Sequence, residues 1–402
     1  MNSLEKNNIP AGYKDSAVGI IPQEWKVTTL GKLVSITSGE SPSLFNLREI
    51  GKYPYIKVED MNNCEKYQLL SREYTDDERC AIQKGSIIFP KRGAAITNNK
   101  VRIAACPVYM DSNMMAITPN DLVCGGYLYF KITHEQLFKI ADTSTIPQIN
   151  NKHIIPYKIC LPPIEEQRKI AEILGVWDKA IEKQSRLIEK LELRKRALMQ
   201  RLLTGRTRLP GFNTPWQKVK LGEIFKERNE TKCEHLPLLS ITAERGVILQ
   251  SESDKKDTSN DDKSKYKRIC PNDIGYNTMR MWQGRSALSA MEGIVSPAYT
   301  IVTPKVEVEP IFISELIKQP RVVYDFWTHS QGLVGDTLNC KFHDFSQVKV
   351  AIPSLPEQKA IAEVLTTADD EIATHRKKLD ALRLQKRGLM QQLLTGKTRV
   401  KI

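Results

Sequence analysis

Residues 166–208 read EQRKIAEILGVWDKAIEKQSRLIEKLELRKRALMQRLLTGRTR, and residues 357–399 read EQKAIAEVLTTADDEIATHRKKLDALRLQKRGLMQQLLTGKTR. The two stretches align without a gap at an offset of 191 residues, and 21 of the 43 aligned positions are identical. The same offset holds for residues ahead of each stretch: Trp25 with Trp216, Leu30 with Leu221, and Gly31 with Gly222. The chain therefore contains two copies of one unit, each a globular head followed by a helical stretch.

Apolar side chains recur in both stretches at alternating spacings of four and three residues, which predicts a long helix with a coiled-coil seam. The other copy is the obvious partner for each seam. We therefore predict an α+β fold in which two duplicated mixed α/β heads are separated by two long antiparallel coiled-coil helices with pseudo-twofold symmetry. Gln184 and His375 interrupt the seam at matching places, as register-setting polar residues. The predicted interface residues are Ile170, Leu174, Ile181, Leu191, Leu198, Leu202, Ile361, Leu365, Ile372, Leu382, Leu389 and Leu393.

The change in spacing of the apolar residues, from short strand-like runs to the helical period, also predicts the domain boundaries. The expected segments are a first head at 1–163 including an N-terminal lead-in, a central helix at 164–208, a second head at 209–354 and a C-terminal helix at 355–402. Short apolar runs broken by turn residues predict strands in both heads, among them 114–118 and 274–277. Helices are expected near 125–141 in the first head and near 311–328 in the second. The charged stretch 251–267 is expected to be a loop inserted in the second head.

Composition favours a soluble, globular, nucleic-acid-binding protein. The 402 residues carry a formal net charge of +13 with 27% charged residues, and nucleic acid is a common specific partner of such basic chains. No apolar run approaches the roughly 18 residues that span a bilayer. Eight cysteines lack a C-x-x-C pair, so neither a metal cluster nor a disulfide framework is expected. A cytoplasmic location is the simplest expectation.

The two copies differ mainly in their heads, which align only at their edges. In this chain the two helices are similar and the two heads differ. We therefore expect the helices to bind two identical partners and the heads to bind two different ligands.

Polar loops that follow predicted strands, at 90–102 in the first head and 277–286 in the second, are the candidate DNA contacts. Cations bind phosphates, and side chains at base edges read sequence. A basic loop without a ligand is the alternative for each stretch, and Trp282 could belong to the core. Further polar loops at 144–152 and 330–341 are weaker candidates. The predicted DNA-binding residues are Lys91, Arg92, Asn98, Lys100 and Arg102 in the first head, and Arg280, Gln283 and Arg285 in the second.

Several motifs, in order and duplicated, resemble those of the specificity (S) subunit of type I restriction-modification enzymes. The lead-in has Tyr13-Lys14-Asp15 with Gly19, Ile21-Pro22 and Trp25, followed by Ser38-Gly39 and Pro42. Each head closes on a proline motif with a Glu-Gln pair, at 161–167 and 352–358, and each helix ends on Leu-Leu-Thr-Gly. The second head departs from the pattern because it has no clear equivalent of Ser38-Gly39 with Pro42.

The resemblance implies a DNA-binding subunit whose two target-recognition domains each read one half of a bipartite, asymmetric double-stranded DNA sequence. Two modification subunits would dock on the helices and methylate adenine at N6 with S-adenosylmethionine. Restriction subunits would add translocation and cleavage that depend on ATP and Mg²⁺. A specificity subunit of a fused methyltransferase-nuclease is the alternative that shares every motif, and a coiled-coil scaffold without a nucleic-acid role is the alternative of another class.

No catalytic role is expected for the chain itself. Its only Pro-Pro pair, Pro162-Pro163, lacks the polar and aromatic neighbours of an adenine methyltransferase motif. No phosphate-binding loop of the type G-x-x-x-x-G-K-[ST] is present. Acidic pairs such as Glu59-Asp60 and Asp76-Asp77 are expected in solvated turns. We therefore expect neither a metal nor a cofactor in this subunit.

Overall fold

The computed structural model describes residues 9–79, 81–242, 245–253, 257, 259–332 and 337–401. These residues form two compact units, residues 1–185 with 378–402 and residues 186–377. Each unit contains one head and parts of both long helices. The lead-in and the loops expected at 251–267 and 330–341 lie partly outside the described residues.

Helices in the described residues include two long ones, and the others belong to the heads. In chain order they are α1 (Ala94–Thr97), α2 (Gly125–Glu135), α3 (Leu137–Ile140), α4 (Asn151–Ile154), α5 (Ile164–Leu202), α6 (Leu221–Ile224), α7 (Pro310–Leu316), α8 (Pro320–His329), α9 (Phe342–Gln347) and α10 (Leu355–Leu394).

The strands of the first unit form a five-stranded sheet in the order β4-β11-β8-β9-β6, a three-stranded sheet β10-β5-β7, and the pairs β1-β2 and β12-β3. Their bounds are β1 (Tyr13–Lys14), β2 (Ile21–Pro22), β3 (Lys26–Thr29), β4 (Val34–Ser38), β5 (Tyr53–Ile56), β6 (Tyr67–Gln68), β7 (Glu73–Thr75), β8 (Ile87–Pro90), β9 (Arg102–Ala104), β10 (Tyr109–Met110), β11 (Met114–Pro119) and β12 (Lys158–Leu161).

The strands of the second unit form a four-stranded sheet in the order β14-β21-β18-β19 and the pairs β13-β22, β15-β16 and β17-β20. Their bounds are β13 (Gln217–Lys220), β14 (Phe225–Glu227), β15 (Leu239–Thr242), β16 (Gly246–Leu249), β17 (Lys267–Ile269), β18 (Ile274–Asn277), β19 (Ser286–Leu288), β20 (Gly293–Val295), β21 (Tyr299–Pro304) and β22 (Lys349–Ile352).

The main sheet of each head has the same pattern of strand pairing, although the two sequences do not align there. β11 pairs antiparallel with β4 and β8, and β8 pairs antiparallel with β9. In the second head β21 pairs antiparallel with β14 and β18, and β18 pairs antiparallel with β19. The duplication therefore extends through the heads at the level of the fold.

One interior strand of each sheet, β11 in the first head and β21 in the second, is buried on both faces, which explains its largely apolar sequence. In β11, Met115 and Ile117 belong to the large core of the first unit, whereas Met114 and Ala116 belong to a smaller core. This alternation is the two-residue period of a strand. In β21, Val302 and Ile301 separate in the same way between two cores.

The long helices pack antiparallel within each unit. In the first unit Ile170 and Leu174 share a core with Met390 and Leu393, so the start of α5 lies against the end of α10. In the second unit Leu202 shares a core with Ile361 and Leu365, so the end of α5 lies against the start of α10. The prediction of an α+β fold with paired long helices is confirmed.

Both long helices end in the same backbone motif. Gly205 and Gly396 have φ angles of 68° and 74°, in the left-handed region that glycine tolerates without strain. Thr207 N–H donates to the Arg201 carbonyl and Thr398 N–H to the Gln392 carbonyl, at 3.2 Å in both cases. The segments expected at 164–208 and 355–402 therefore contain helices that end at Leu202 and Leu394.

Two helical stretches predicted as continuous are each divided. The stretch expected near 125–141 breaks between α2 and α3 at Gln136, whose φ is 68°. The stretch expected near 311–328 breaks between α7 and α8, where Pro320 occupies the start of the second helix. Proline has no N–H for the preceding turn, which explains the second break. Among all helices described, none has both the length and the apolar content to cross a membrane.

Candidate nucleic-acid interface

The first predicted DNA loop, here called loop A1 (residues 91–101), leaves the end of β8. Gly93 has a φ of 80°, which lets the chain turn into the short helix α1. Arg92 and Asn98 are exposed, whereas Lys91 is half-buried. Burial, together with the neighbouring charge of Arg92, lowers the pKa of Lys91. The loop thus presents one arginine and one amide to solvent at the edge of the sheet.

A second polar loop, loop B1 (residues 141–153), is hydrogen-bonded to loop A1. Gly93 N–H donates to the Pro147 carbonyl, and Ile149 N–H donates to the Lys91 carbonyl, both at 2.9 Å. Asp142 and Gln148 exchange two backbone hydrogen bonds of 2.9 Å that close loop B1. The two stretches singled out separately in the sequence therefore form one surface.

Arg102 and Lys100 have partners within the head. The Arg102 guanidinium donates to the carbonyls of Cys64, Val101 and Met61 at 2.8, 2.9 and 3.0 Å. Lys100 Nζ donates to Asn62 Oδ1 at 2.7 Å. Arg102 therefore stabilises the first head, and its contact with DNA stays a prediction.

The second predicted DNA loop, loop A2 (residues 278–285), leaves the end of β18 in the second head. It contains a 3-10 helix at Met281–Gln283. Gln283 and Arg285 are exposed, and Arg280 is half-buried. Trp282 is half-buried and donates from Nε1 to the Met279 carbonyl at 3.0 Å, so the indole stabilises the loop.

Loop B2 (residues 330–341) lies against loop A2, and residues 333–336 of it are outside the described part of the chain. Cys340 N–H donates to the Thr278 carbonyl at 2.9 Å, which matches the bond from Ile149 to Lys91 in the first head. Gln331 and Asn339 pair as Asp142 and Gln148 do. Burial raises the pKa of Cys340 to about 12, so this thiol is a neutral packing group. Each head therefore presents the same two joined loops with different side chains.

The predicted seam residues lie mainly inside the two units. Leu198, Leu382 and Leu389 are half-buried. The others are at most 7% exposed, namely Ile170, Leu174, Ile181, Leu191, Leu202, Ile361, Leu365, Ile372 and Leu393.

One ion pair between the helices occurs in both units. Lys386 Nζ lies 2.5 Å from Asp178 in the first unit, and Lys195 Nζ lies 2.6 Å from Asp369 in the second. The two lysines and the two aspartates are each related by the offset of 191 residues. Lys195 and Lys386 occupy positions of the otherwise apolar seam, and each reaches a carboxylate on the neighbouring helix.

The Glu-Gln pair that opens each helix has a structural role in the junction with the head. Arg399 lies 2.7 Å from Glu166, and Arg208 lies 2.6 Å from Glu357. The hydrogen bond with Glu166 raises the pKa of Arg399. Trp25 Nε1 also donates to Glu166 at 2.9 Å. These pairs were missed from sequence, although both members repeat at the common offset.

The glutamines repeat as well. Gln167 accepts from Cys124 N–H at 2.8 Å and donates to the Pro162 carbonyl at 2.9 Å. Gln358 accepts from Glu309 N–H at 3.0 Å and donates to the Pro353 carbonyl at 2.9 Å. Each head is therefore joined to a helix start by equivalent polar contacts. Among the described residues, no group of His, Cys, Asp or Glu is arranged to hold a metal ion.

Comparison with known protein families defines the class of this two-headed chain. The family model for the type I restriction modification DNA specificity domain matches residues 22–193 and 315–384, which is more than half of the chain. The chain therefore belongs to the type I restriction-modification DNA specificity family. It is a DNA-binding specificity subunit of this class, and it is non-catalytic as specificity subunits are.

Two curated relatives match along nearly the whole chain, and a third matches over less than half of it. The putative MjaX specificity subunit of Methanocaldococcus jannaschii is 26% identical over 434 residues, which cover 97% of each chain. The MjaVIII specificity subunit of the same organism is 26% identical over 423 residues, covering 95% of this chain and 94% of the relative. The EcoR124I/EcoR124II specificity subunit of Escherichia coli is 26% identical over 180 residues, covering 41% of this chain and 44% of the relative.

Solved structures share the fold. The S subunit of a type I restriction-modification system from M. genitalium has a TM-score of 0.55 at 16% identity, with 98% of each chain covered. A chain from a structure on complex assembly and conformational transition of the type I R-M system has a TM-score of 0.61 at 16% identity, covering 94% of this chain and 99% of that one.

Proposed function

We propose that each head reads one half of a bipartite, asymmetric DNA sequence through its two joined loops. The observation that carries this proposal is the repeated bond between the loops, from Ile149 to Lys91 and from Cys340 to Thr278. A common scaffold with different exposed side chains is what two independent half-sites require. Loops on a rigid scaffold are also where binding residues commonly lie.

The exposed side chains suit the two tasks of DNA recognition. In the first head Arg92 can neutralise a phosphate, and Asn98 offers an amide to a base edge. In the second head Arg285 and Gln283 offer the same two functions. Arg102 is left out of the proposal because carbonyls of the head already accept its hydrogen bonds.

We further propose that the helices bind two copies of one modification subunit. Leu193 and Leu384 are related by the common offset and are 57% and 63% exposed. The exposed Arg196 and Arg387, and Gln200 and Gln391, are identical pairs near them. These exposed residues are not needed for packing between the helices, and yet they are identical in both copies. Their identity therefore supports two identical partners.

The assembled complex would act as an adenine-N6 DNA methyltransferase and, with restriction subunits, as an ATP-dependent endonuclease. S-adenosylmethionine, ATP and Mg²⁺ would belong to those partner subunits. The complex would work in the cytoplasm on double-stranded DNA.

Co-expression with candidate modification subunits, followed by mapping of methylated adenines in the host genome, tests the proposal. The expected result is a motif with two different specified halves and an unspecified gap, which disappears when this chain is omitted. A continuous motif without a gap, or methylation that is independent of this chain, would contradict it.

A further inference from the structure

Each head exposes an aromatic side chain at an equivalent place beside its DNA loops. Phe138 on α3 is 39% exposed, and Trp327 on α8 is 47% exposed. Phe138 precedes Asp142, the first residue of the pairing that closes loop B1, by four positions. Trp327 precedes Gln331, its counterpart in loop B2, also by four positions. The two aromatic residues therefore occupy equivalent places in the two heads.

Packing of the heads does not account for these positions. In α3 the neighbouring Leu137 and Ile140 are 1% and 7% exposed and belong to the core. In α8 the neighbouring Phe326 is fully buried. The inner face of each helix is thus filled by other apolar residues, while Phe138 and Trp327 leave large apolar area in water. Exposed aromatic groups of this kind often mark interaction sites.

Both helices are held against loop A of their own head. Asn99 of loop A1 accepts from Leu137 N–H at 2.9 Å and donates to the Thr133 carbonyl at 2.8 Å. In the second head α8 packs against the 3-10 helix of loop A2. The helix that carries the aromatic residue is therefore held next to the loop that carries the predicted base and phosphate contacts.

The surroundings of both rings favour a nucleic acid as the ligand. In the first head Arg92 pairs with Gln148 of loop B1, and Lys139 follows Phe138 on α3; both cationic side chains are exposed. In the second head Lys341 is exposed at the end of loop B2. An exposed ring on an element that also carries exposed basic residues suits DNA, which offers apolar sugar and base faces between its phosphates. Tyr324 lies beside Trp327, with ring centroids 5.5 Å apart, and widens the apolar surface in the second head.

We propose that Phe138 and Trp327 are the apolar DNA contacts of the two heads, each packing on a sugar or base of its own half-site. This inference rests on the proposed function and adds to it a residue in each head that polar loop motifs do not reveal. Apolar side chains that pack into a groove or between base steps are an established mode of DNA binding.

The test uses the chain co-expressed and purified with its modification subunits, and a duplex carrying the motif obtained by methylome mapping. Phe138→Ala and Trp327→Ala should each weaken binding by roughly tenfold, which is within the range expected for the loss of one base–aromatic contact. Footprint protection should weaken over one half-site in each variant, and over different halves in the two variants. Trp327→Phe should keep most of the affinity, because the first head uses phenylalanine at this place.

Tyr67→Ala is the matched control, since Tyr67 is a 58% exposed aromatic residue of the first head that lies outside loops A1 and B1. It should leave DNA binding unchanged. All variants should stay folded, with only a small fall in melting temperature for Phe138→Ala and Trp327→Ala, because each ring is partly exposed and lies outside the core clusters. Wild-type affinity in both alanine variants, or a loss confined to binding of the modification subunits, would overturn the inference. Absence of protection by the wild-type complex would instead count against the proposed function.

Discussion

At the scale of residues, the same side chains join each head to its helix, whereas different side chains occupy the predicted DNA loops of the two heads. The pairs Arg399–Glu166 and Arg208–Glu357 repeat the same bidentate contact. Loops A1 and A2, by contrast, share backbone bonds and not side chains. Residues that join the heads to the helices are thus kept in both copies, and residues of the predicted DNA loops differ.

Loss of one junction pair should destabilise the first unit. Arg399→Ala leaves the Glu166 carboxylate, which is 0% exposed, without its cation. Breaking a fully buried pair costs about 3–5 kcal/mol. We expect about 2 kcal/mol here, because the Arg399 side chain is 34% exposed and solvent screens part of the interaction. The melting temperature should fall by roughly 4–8 °C, as measured by calorimetry. Lys397→Ala, an exposed change nearby, should have little effect, and equal melting of both variants would contradict the role of the pair.

Two arginines of the first head should respond oppositely to substitution. Arg92→Ala should weaken DNA binding and lower its salt dependence, because one phosphate contact is lost, while leaving the melting temperature unchanged. Arg102→Ala should lower the melting temperature, because carbonyls of Met61 and Cys64 lose their donor. Titration of DNA at several salt concentrations and thermal melting separate the two effects. If Arg92→Ala binds DNA like the wild type and Arg102→Ala weakens DNA binding without a change in melting temperature, loop A1 does not face DNA as proposed.

The sequence identified loop A1 but could not distinguish these two arginines. The acceptors of Arg102 lie 38 and 41 positions earlier in the chain, and a backbone carbonyl leaves no trace in residue type. Phe138 and Trp327 were missed for a related reason. An aromatic residue in an apolar helix resembles core until its neighbours are known to fill the core.

At the scale of elements, the long helices were predictable because their pattern is local. Spacings of four and three residues fix which face is apolar, whatever the rest of the chain does. The sheets of the heads were less predictable. The strands near 114–118 and 274–277 were found from local runs, but the orders β4-β11-β8-β9 and β14-β21-β18-β19 depend on pairings between distant residues. The break at Gln136 also escaped, since a positive φ at glutamine has no sequence signal.

Substitutions at two leucines on one helix should separate packing from partner binding. Leu191 is 6% exposed and Leu193 is 57% exposed. Leu191→Asp buries a charge in the seam and should cost several kcal/mol, seen as a marked fall in melting temperature. Leu193→Asp should melt like the wild type and yet reduce co-purification with the modification subunit. If Leu191→Asp melts normally, the seam does not hold the helices together. If Leu193→Asp keeps full co-purification, the exposed face is not the partner site.

At the scale of the whole molecule, one chain combines two versions of the same unit. The excess of 60 basic over 47 acidic residues favours binding of any duplex, and the different loops of the two heads would supply the choice of sequence. The repeated motifs belong to the parts that both copies share, and they revealed the class of protein from sequence. No motif of this chain states which DNA sequence the protein recognises. The target depends on side-chain placement at base edges.

Exchange of one head tests the central claim most directly. Residues 23–161 are replaced by the corresponding head of a related specificity subunit with a known target, the chimera is co-expressed with the modification subunits, and methylated adenines are mapped by long-read sequencing. The account predicts that one half of the methylated motif changes to that of the donor, while the other half stays as in the wild type. A change in both halves, or in neither half with methylation retained, would contradict the claim that each head reads its own half-site.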